Sequence, residues 1–163
     1  MENVALELQT TAYARRAVPK DLDVFGRSAF NRYYYATFLE VRQSLKKFNP
    51  NWQGTHSSIP EELTGSITRE IANIQRSVAR IPDNQAVSIC KIAKRSLREL
   101  ADLMKDAYSV RVIADYYPDI SIQLDAGRFK LDRTNITTAH DWLYRAQTYI
   151  MAIERARSIL HVA

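Results

Sequence analysis

The stretch from Asn84 to Tyr116 reads NQAVSICKIAKRSLRELADLMKDAYSVRVIADY and decides the fold class of this chain. Its apolar residues recur every three to four positions, at Ile89, Ile92, Ala93, Leu97, Leu100, Met104, Ala107 and Val110. An α-helix turns once every 3.6 residues, so this spacing places them on one face. Pro118 then ends the pattern. The stretch therefore predicts one long amphipathic helix.

The sequence before this stretch predicts further helices. An apolar stripe runs through Phe25, Phe30, Tyr34, Phe38, Val41 and Leu45. It predicts a helix from about Asp21 to Phe48, which Asn49-Pro50-Asn51 ends. Residues 1–19 predict a weakly ordered or short helical lead-in. A further helix is predicted from Pro60 to about Ile81, with a break at Gly65.

The periodicity changes after Pro118. Ile120, Ile122 and Leu124 alternate with polar residues, as do Phe129 and Leu131. Asp125-Ala126-Gly127 lies between the two runs and offers a glycine for a turn position of positive φ, which is typical of a β-hairpin. Two strands are only marginally stable alone, so we expect the hairpin to lean on the helices. The last helix is predicted from Thr137, as its N-cap, to Leu160.

Together these elements predict an all-α fold, an antiparallel bundle with a short β-hairpin insertion before the last helix. The 163 residues, 46% of them hydrophobic, suit a single domain spanning 1–163. Only four glycines and five prolines are present, which favours long helices. The single cysteine, Cys90, lies within a helical pattern and is predicted to be a buried small hydrophobe.

Composition and motifs exclude several classes of function. The chain has no glycine-rich phosphate loop, no Cys/His cluster with zinc spacing and no nucleophile elbow. No metal and no cofactor are therefore predicted. No apolar run is long enough to span a bilayer and the first residues do not resemble a signal peptide, so we expect a cytoplasmic protein that does not contact membrane. The net charge of +5 permits RNA as a partner without requiring it.

Arginine, histidine and tyrosine are the residue types left to carry chemistry. In Asn31-Arg32-Tyr33-Tyr34-Tyr35, three consecutive tyrosines cannot share one helix face. Arg32 and Tyr34 are candidates for binding RNA or a nucleotide, and the alternative is core and rim packing. Arg111 and Asp115, at i and i+4, can form an ion pair, and Asp115 is a third candidate for binding RNA or a nucleotide. The alternative is a plain surface ion pair.

Two histidines complete the candidates. The pair Arg133-x6-His140 can hold and protonate a phosphate, because arginine clamps phosphate and histidine titrates near neutrality. The alternative is a boundary histidine without a role. His56 lies in the polar loop Thr55-His56-Ser57-Ser58, which alone indicates little.

These pieces, in this order, resemble the HEPN (higher eukaryotes and prokaryotes nucleotide-binding) superfamily in its small prokaryotic stand-alone form. The resemblance rests on the helix with Arg32-Tyr33-Tyr34-Tyr35-Ala36, the Thr-His-Ser loop, the Arg-x-x-Ala-Asp-Tyr helix end and the alanine-rich last helix, from about Tyr13 to Ile159. It implies an up-and-down bundle of four to five helices and a homodimer with a groove between protomers. It also implies metal-independent endoribonuclease activity in a toxin–antitoxin or defence system.

The family signature, an arginine followed after four to six residues by a histidine, fits in two competing ways. Arg133 and His140 match the residue types and spacing of the signature, but they come after the predicted hairpin in the sequence. Arg111 stands at the family position, where Tyr116 replaces the histidine, and a tyrosine of ordinary pKa near 10 is not a base at neutral pH. In related toxin modules a separate nucleotidyltransferase antitoxin modifies a tyrosine near this arginine, which here implies Tyr116 or Tyr117.

Three hypotheses therefore stand after the sequence alone. The first is a HEPN-type homodimer that acts on RNA, with Arg111, Tyr116, Arg133, His140 and His56 as candidate catalytic residues. The second is a non-catalytic module that binds a nucleotide, RNA or a partner protein through the same groove. The third is a structural bundle without a ligand.

Overall fold

Helices form most of the chain in the computed structural model, which describes residues 1–80, 84–125 and 127–159. They are α1 (Glu2–Ala14), α2 (Pro19–Phe48), α3 (Ile59–Glu62), α4 (Thr68–Val78), α5 (Asn84–Tyr116), α6 (Ile136–His140) and α7 (Trp142–Ser158). A 3₁₀ turn, His56–Ser58, precedes α3, and a π-helical turn, Leu63–Ile67, joins α3 to α4.

Three short strands lie between α5 and α6. They are β1 (Gln123–Asp125), β2 (Arg128–Leu131) and β3 (Thr134–Asn135), and they pair antiparallel in that order. The register places Leu124 opposite Phe129 and Leu131 opposite Thr134. The fold class predicted from the sequence, helical with a hairpin inserted before the last helix, is confirmed.

Most helix bounds agree with the sequence patterns. The prediction for α5 is confirmed at both ends, and the predicted break at Gly65 is the π-helical turn. The last helix is instead divided in two at Asp141, and its N-cap is Asn135, so the prediction of Thr137 is wrong. Ile81, Ala126 and Leu160, which the predictions also named, lie outside the described residues.

One residue of the apolar stripe predicted for α5 faces solvent instead of the core. Ile92 is 55% exposed, whereas Cys90 and Ala93 beside it are buried. The prediction that Ile92 faces inward is therefore wrong, and the prediction that Cys90 is a buried small hydrophobe is confirmed. Burial raises the pKa of the Cys90 thiol, with a smaller opposing effect of the Lys94 charge, which disfavours the reactive thiolate.

The described residues divide into two compact units. The first combines Met1–Leu39 with Asp106–Leu143, and the second combines Glu40–Lys105 with the chain from Tyr144 onward. No helix within the described ranges has the length and apolarity needed to cross a membrane.

In the first unit the sheet packs against α1 and α2 through Phe129. The centre of its ring lies 4.9 Å from that of Tyr13 and 6.1 Å from that of Phe30. Gly26 permits the close approach, because a Cβ atom at this position would lie 3.0 Å from a side-chain carbon of Ile122. The expectation that the hairpin leans on helices is therefore confirmed.

In the second unit Arg157 of α7 joins two other helices. Its Nε lies 2.7 Å from a carboxylate oxygen of Glu70 on α4, and its Nη2 donates to the carbonyl oxygen of Phe48 at 3.1 Å. Phe48 ends α2, and the last carbonyls of a helix lack partners within the helix. Arg157 thus caps α2 from the side.

The first unit contains a more extensive cap of the same kind, centred on Arg27 of α2. Its guanidinium donates to the carbonyl oxygens of Ile113, Ala114, Tyr117, Pro118 and Ile120, at the end of α5 and in the segment after it. Its Nε also donates to Asp23 at 2.8 Å, and the other carboxylate oxygen of Asp23 accepts the backbone N–H of Ile122 at 2.8 Å. This pair therefore fixes both the end of α5 and the entry to the sheet.

We predict that Arg27→Ala destabilises the protein by about 3 kcal/mol, because it leaves several carbonyls and the Asp23 carboxylate without their charged donor. The Arg27 side chain is only 12% exposed, so water replaces these bonds poorly. Urea unfolding followed by circular dichroism measures the change. The matched control is Arg42→Ala, which removes an exposed arginine from the same helix. A loss for Arg27→Ala no larger than for the control would contradict this role.

Candidate functional site

Above the Arg27 cap, α2 and α5 are joined by a group of polar side chains that we name the Arg111 cluster. It consists of Asn31 and Tyr35 from α2 with Arg111, Asp115 and Tyr116 from α5. Asn31 and Tyr35 are one turn apart on α2, as are Arg111 and Asp115 on α5. Because the two helices run antiparallel here, Asn31 meets Asp115 and Tyr35 meets Arg111. The cluster brings together three of the residues that the sequence singled out, Arg111, Asp115 and Tyr116.

Arg111 lies at the centre of this cluster. Its Nη2 is 2.9 Å from a carboxylate oxygen of Asp115 and 3.5 Å from the hydroxyl of Tyr35. Its guanidinium carbon lies 5.9 Å from the centre of the Tyr35 ring and 5.4 Å from that of Tyr116. The side chain is 18% exposed, so these cation–π contacts are only partly solvated.

The charge of Arg111 is stabilised by its neighbours. Burial lowers the pKa of the guanidinium, but the hydrogen bond to Tyr35 and the negative charge of Asp115 oppose burial, and the net result is a raised pKa. Arginine is thus fully charged at every physiological pH. The Asp115 carboxylate is held in turn, since its other oxygen accepts a hydrogen bond from the side-chain amide of Asn31.

Two buried atoms of the cluster have no hydrogen-bond partner within the part of the chain that the structure describes. They are Nε of Arg111 and Oδ1 of Asn31. A buried polar atom left without a partner is costly, and such atoms are rare in folded proteins. Because both atoms are buried, a ligand reaches either of them only if a neighbouring side chain of the cluster moves.

The two tyrosines at the end of α5 are accessible. Tyr116 is 66% exposed and Tyr117 is also exposed, although the Tyr117 carbonyl accepts a hydrogen bond from Arg27. The Tyr116 ring thus presents one face to solvent while lying near the Arg111 guanidinium. An exposed aromatic ring beside a cation can stack against a planar ligand.

The structure places Arg32 and Tyr34 on opposite sides of α2. Arg32 is exposed, whereas Tyr34 is fully buried with its ring 6.0 Å from that of Tyr108. Burial raises the pKa of the Tyr34 hydroxyl, with an opposing effect of Arg111. Tyr34 therefore lies behind the Arg111 cluster and can influence a ligand only through the packing of its neighbours.

The second signature pair is not part of the Arg111 cluster. The His140 ring lies 5.4 Å from the ring of Tyr33, and its Nδ1 is 4.0 Å from a carboxylate oxygen of Asp141. Arg133 is exposed and has no ion pair among the described residues. His56 is partly buried at the start of the 3₁₀ turn in the second unit.

Three residues that position the site were not among the sequence candidates: Arg27, Asn31 and Tyr35. The only sequence signal for them is their spacing of four residues on α2, which matches one helical turn. Among the described residues, no group of three or more His, Cys, Asp and Glu side chains is arranged to hold a metal ion.

Comparison with known proteins adds no relative from which residue roles can be transferred. No protein-family model, no curated protein and no solved structure matches this chain. The resemblance to the HEPN superfamily thus rests on the motifs and their order alone, and the roles of the Arg111 cluster depend on its geometry.

Tyr33, whose ring lies beside that of His140, makes the free energy of unfolding fall at alkaline pH. Burial raises its pKa to about 12, and the nearby charge of Glu2 acts in the same direction. An unfolded tyrosine ionises near pH 10. Between these values the folded chain keeps a proton that the unfolded chain releases, so stability present below pH 10 is lost as pH rises toward 12.

We therefore predict that Tyr33→Phe flattens the decline of stability above about pH 10. The variant also loses the hydrogen bond from the Tyr33 hydroxyl to Gln9, so the readout is the slope and not the absolute stability. Urea unfolding at several values between about pH 9 and 11.5 measures it. Tyr144→Phe, at an exposed position, is the control. Equal slopes for wild type and Tyr33→Phe would contradict the prediction.

Proposed function

We propose that this chain is a HEPN-type protein that acts on RNA and that the Arg111 cluster is where it contacts the RNA. The observation that carries the proposal is that the Arg111 guanidinium, on a side chain 18% exposed, lies 5.9 Å from the centre of the Tyr35 ring and 5.4 Å from that of the exposed Tyr116. The ordered sequence motifs and the net charge of +5 support the same function.

The cluster offers the two kinds of contact that single-stranded RNA uses. Arginine donates charge-assisted hydrogen bonds to phosphate oxygens. Exposed aromatic rings stack on bases without regard to sequence, and Tyr116 is such a ring. A nucleotide whose base stacks on Tyr116 brings its phosphate within reach of Arg111.

Asp115 limits what the cluster can do, because it already neutralises Arg111. A phosphate must compete with this carboxylate, which Asn31 holds from its other side. His140 contacts Tyr33 and Asp141, and neither is an arginine. These contacts favour binding of RNA or a nucleotide by the Arg111 cluster over catalysis by an arginine–histidine pair within one chain.

The remaining elements of the proposal come from the resemblance. They are a homodimer with the RNA groove between protomers, a separate nucleotidyltransferase antitoxin as partner, and a cytoplasmic location. Tyr116 and Tyr117 are exposed, as a tyrosine must be to accept a nucleotidyl group. In a homodimer the partner protomer can supply a histidine to the Arg111 cluster, which keeps metal-independent ribonuclease activity as the second candidate function.

We predict opposite effects of two substitutions on the affinity for a short single-stranded RNA. Arg111→Ala lowers the affinity about tenfold, because it removes the phosphate donor. Asp115→Asn raises it several-fold, because it removes the competing charge while its amide oxygen still accepts from Asn31. Fluorescence anisotropy at a stated salt concentration measures both.

Arg98→Ala is the control for the loss of one positive charge, since Arg98 is exposed on the same helix. If Arg98→Ala weakens binding as much as Arg111→Ala does, the RNA responds to net charge alone and the site is not the Arg111 cluster. Circular dichroism of each variant excludes loss of folding as the cause.

We further predict that cleavage of RNA by this protein persists in EDTA and is lost when Arg111 and His140 are both replaced by alanine. The assay compares wild type with the Arg111→Ala/His140→Ala double variant on structured RNA. If wild type binds RNA but degrades it no faster than the double variant does, the ribonuclease hypothesis is excluded and the hypothesis of a non-catalytic binding module remains. Cleavage that EDTA abolishes would contradict a metal-independent mechanism.

A further inference from the structure

Asp115 occupies the place on Arg111 that a phosphate would take, and two side chains hold it there. One carboxylate oxygen lies 2.9 Å from Nη2 of Arg111, and the other accepts a hydrogen bond from the side-chain amide of Asn31. The side chain of Arg111 is 18% exposed and that of Asp115 is 24% exposed, so solvent and salt screen this ion pair less than a pair at the open surface. The guanidinium is therefore already neutralised in this arrangement.

Asn31 is not the side chain that packing alone favours at its position. Its Oδ1 is buried and has no hydrogen-bond partner within the described part of the chain. A buried acceptor without a partner costs free energy, whereas an apolar side chain of similar size at the same position carries no such cost. The amide at this position is therefore explained by what its N–H group holds, which is the carboxylate of Asp115.

We infer that the contact between Asn31 and Asp115 is autoinhibitory: it holds the Arg111 cluster in a closed state, and RNA binds after the Asp115 carboxylate has rotated away from Arg111. Rotation about the side-chain bonds of Asp115 carries the carboxylate into solvent while the backbone of α5 stays helical. Arg111 remains in place, because its Nη2 also lies 3.5 Å from the hydroxyl of Tyr35. The inference rests on the proposed function and adds the regulation of that site.

The hydrogen bond from Asn31 exists in the closed state alone, so it adds to the cost of opening the cluster. The apparent dissociation constant of a ligand is its intrinsic dissociation constant divided by the fraction of molecules in the open state. Removing the bond raises that fraction. The affinity for RNA then rises although the protein gains no contact with the RNA.

The test is a double-mutant cycle on the full chain with a short single-stranded RNA. Asn31→Leu keeps roughly the volume of the side chain, removes the amide and leaves the net charge unchanged. We expect it to raise the affinity about fivefold in the wild-type background. In the Asp115→Asn background, where no carboxylate neutralises Arg111, the gain is less than about twofold. Ser28→Ala is the control and leaves the affinity unchanged, since the Ser28 hydroxyl donates to the carbonyl oxygen of Val24 within α2.

The cycle has two results that overturn the inference. An unchanged affinity for Asn31→Leu, or an equal gain in both backgrounds, means that the amide does not act through Asp115. A fall in affinity means that Asn31 itself contacts the RNA. Thermal unfolding of each variant checks its folding, and Asn31→Ala takes the place of Asn31→Leu where leucine lowers the midpoint.

A second measurement needs no RNA and separates this inference from the proposed function. Phenylglyoxal modifies arginine guanidinium groups, and peptide mass spectrometry measures the rate at Arg111. We expect Asn31→Leu and Asp115→Asn each to raise that rate several-fold, while the rate at the exposed Arg98 of the same helix stays unchanged. Faster modification in a protein that does not bind RNA supports the autoinhibitory contact and refutes the proposed function alone. Equal rates in wild type and both variants overturn the inference.

Discussion

The pairing of Arg27 with the end of α5 is the interaction on which the first unit depends. The last carbonyls of a helix have no partner within the helix, and here the following segment turns directly into a sheet. One guanidinium donates to two carbonyls in the last turn of α5 and to three in the segment after it, and Asp23 balances its charge while accepting the N–H of Ile122. Because arginine presents five N–H groups in a rigid fork, lysine cannot reproduce this arrangement.

This cap determines the geometry of the Arg111 cluster. Arg27, Asn31 and Tyr35 follow each other at one-turn intervals on α2, so fixing Arg27 against the end of α5 places Asn31 beside Asp115 and Tyr35 beside Arg111. The candidate site is thus one turn above a structural cap and depends on the same contact between two helices. A substitution in the cap is expected to disturb stability and the geometry of the cluster together, whereas one in the cluster can change the site without loss of the cap.

Local sequence patterns predicted the parts of this structure that local physics decides. The spacing of apolar residues and the position of Pro118 predicted both ends of α5 correctly. The alternation of apolar and polar residues before and after Gly127 predicted the hairpin. Ile92 was misassigned because α5 has more apolar positions than one stripe holds, and periodicity alone cannot show which of them meets solvent. The cap was not predictable, since Arg27 and its first carbonyl partner are 86 residues apart. The third strand is only two residues long and leaves no alternating pattern.

Net positive charge is a weak guide to RNA binding in this chain because several arginines are engaged in the fold. Arg27 caps α5 and pairs with Asp23, and Arg157 caps α2 and pairs with Glu70. Both guanidinium groups already donate to a carboxylate and to helix-end carbonyls, so binding a phosphate would compete with contacts that hold the fold together. Arg111 differs, because it pairs with Asp115 but keeps a buried Nε without a partner among the described residues. What an arginine can bind thus follows from the partners it already has, and by that criterion Arg111 suits a phosphate better than Arg27 or Arg157 does.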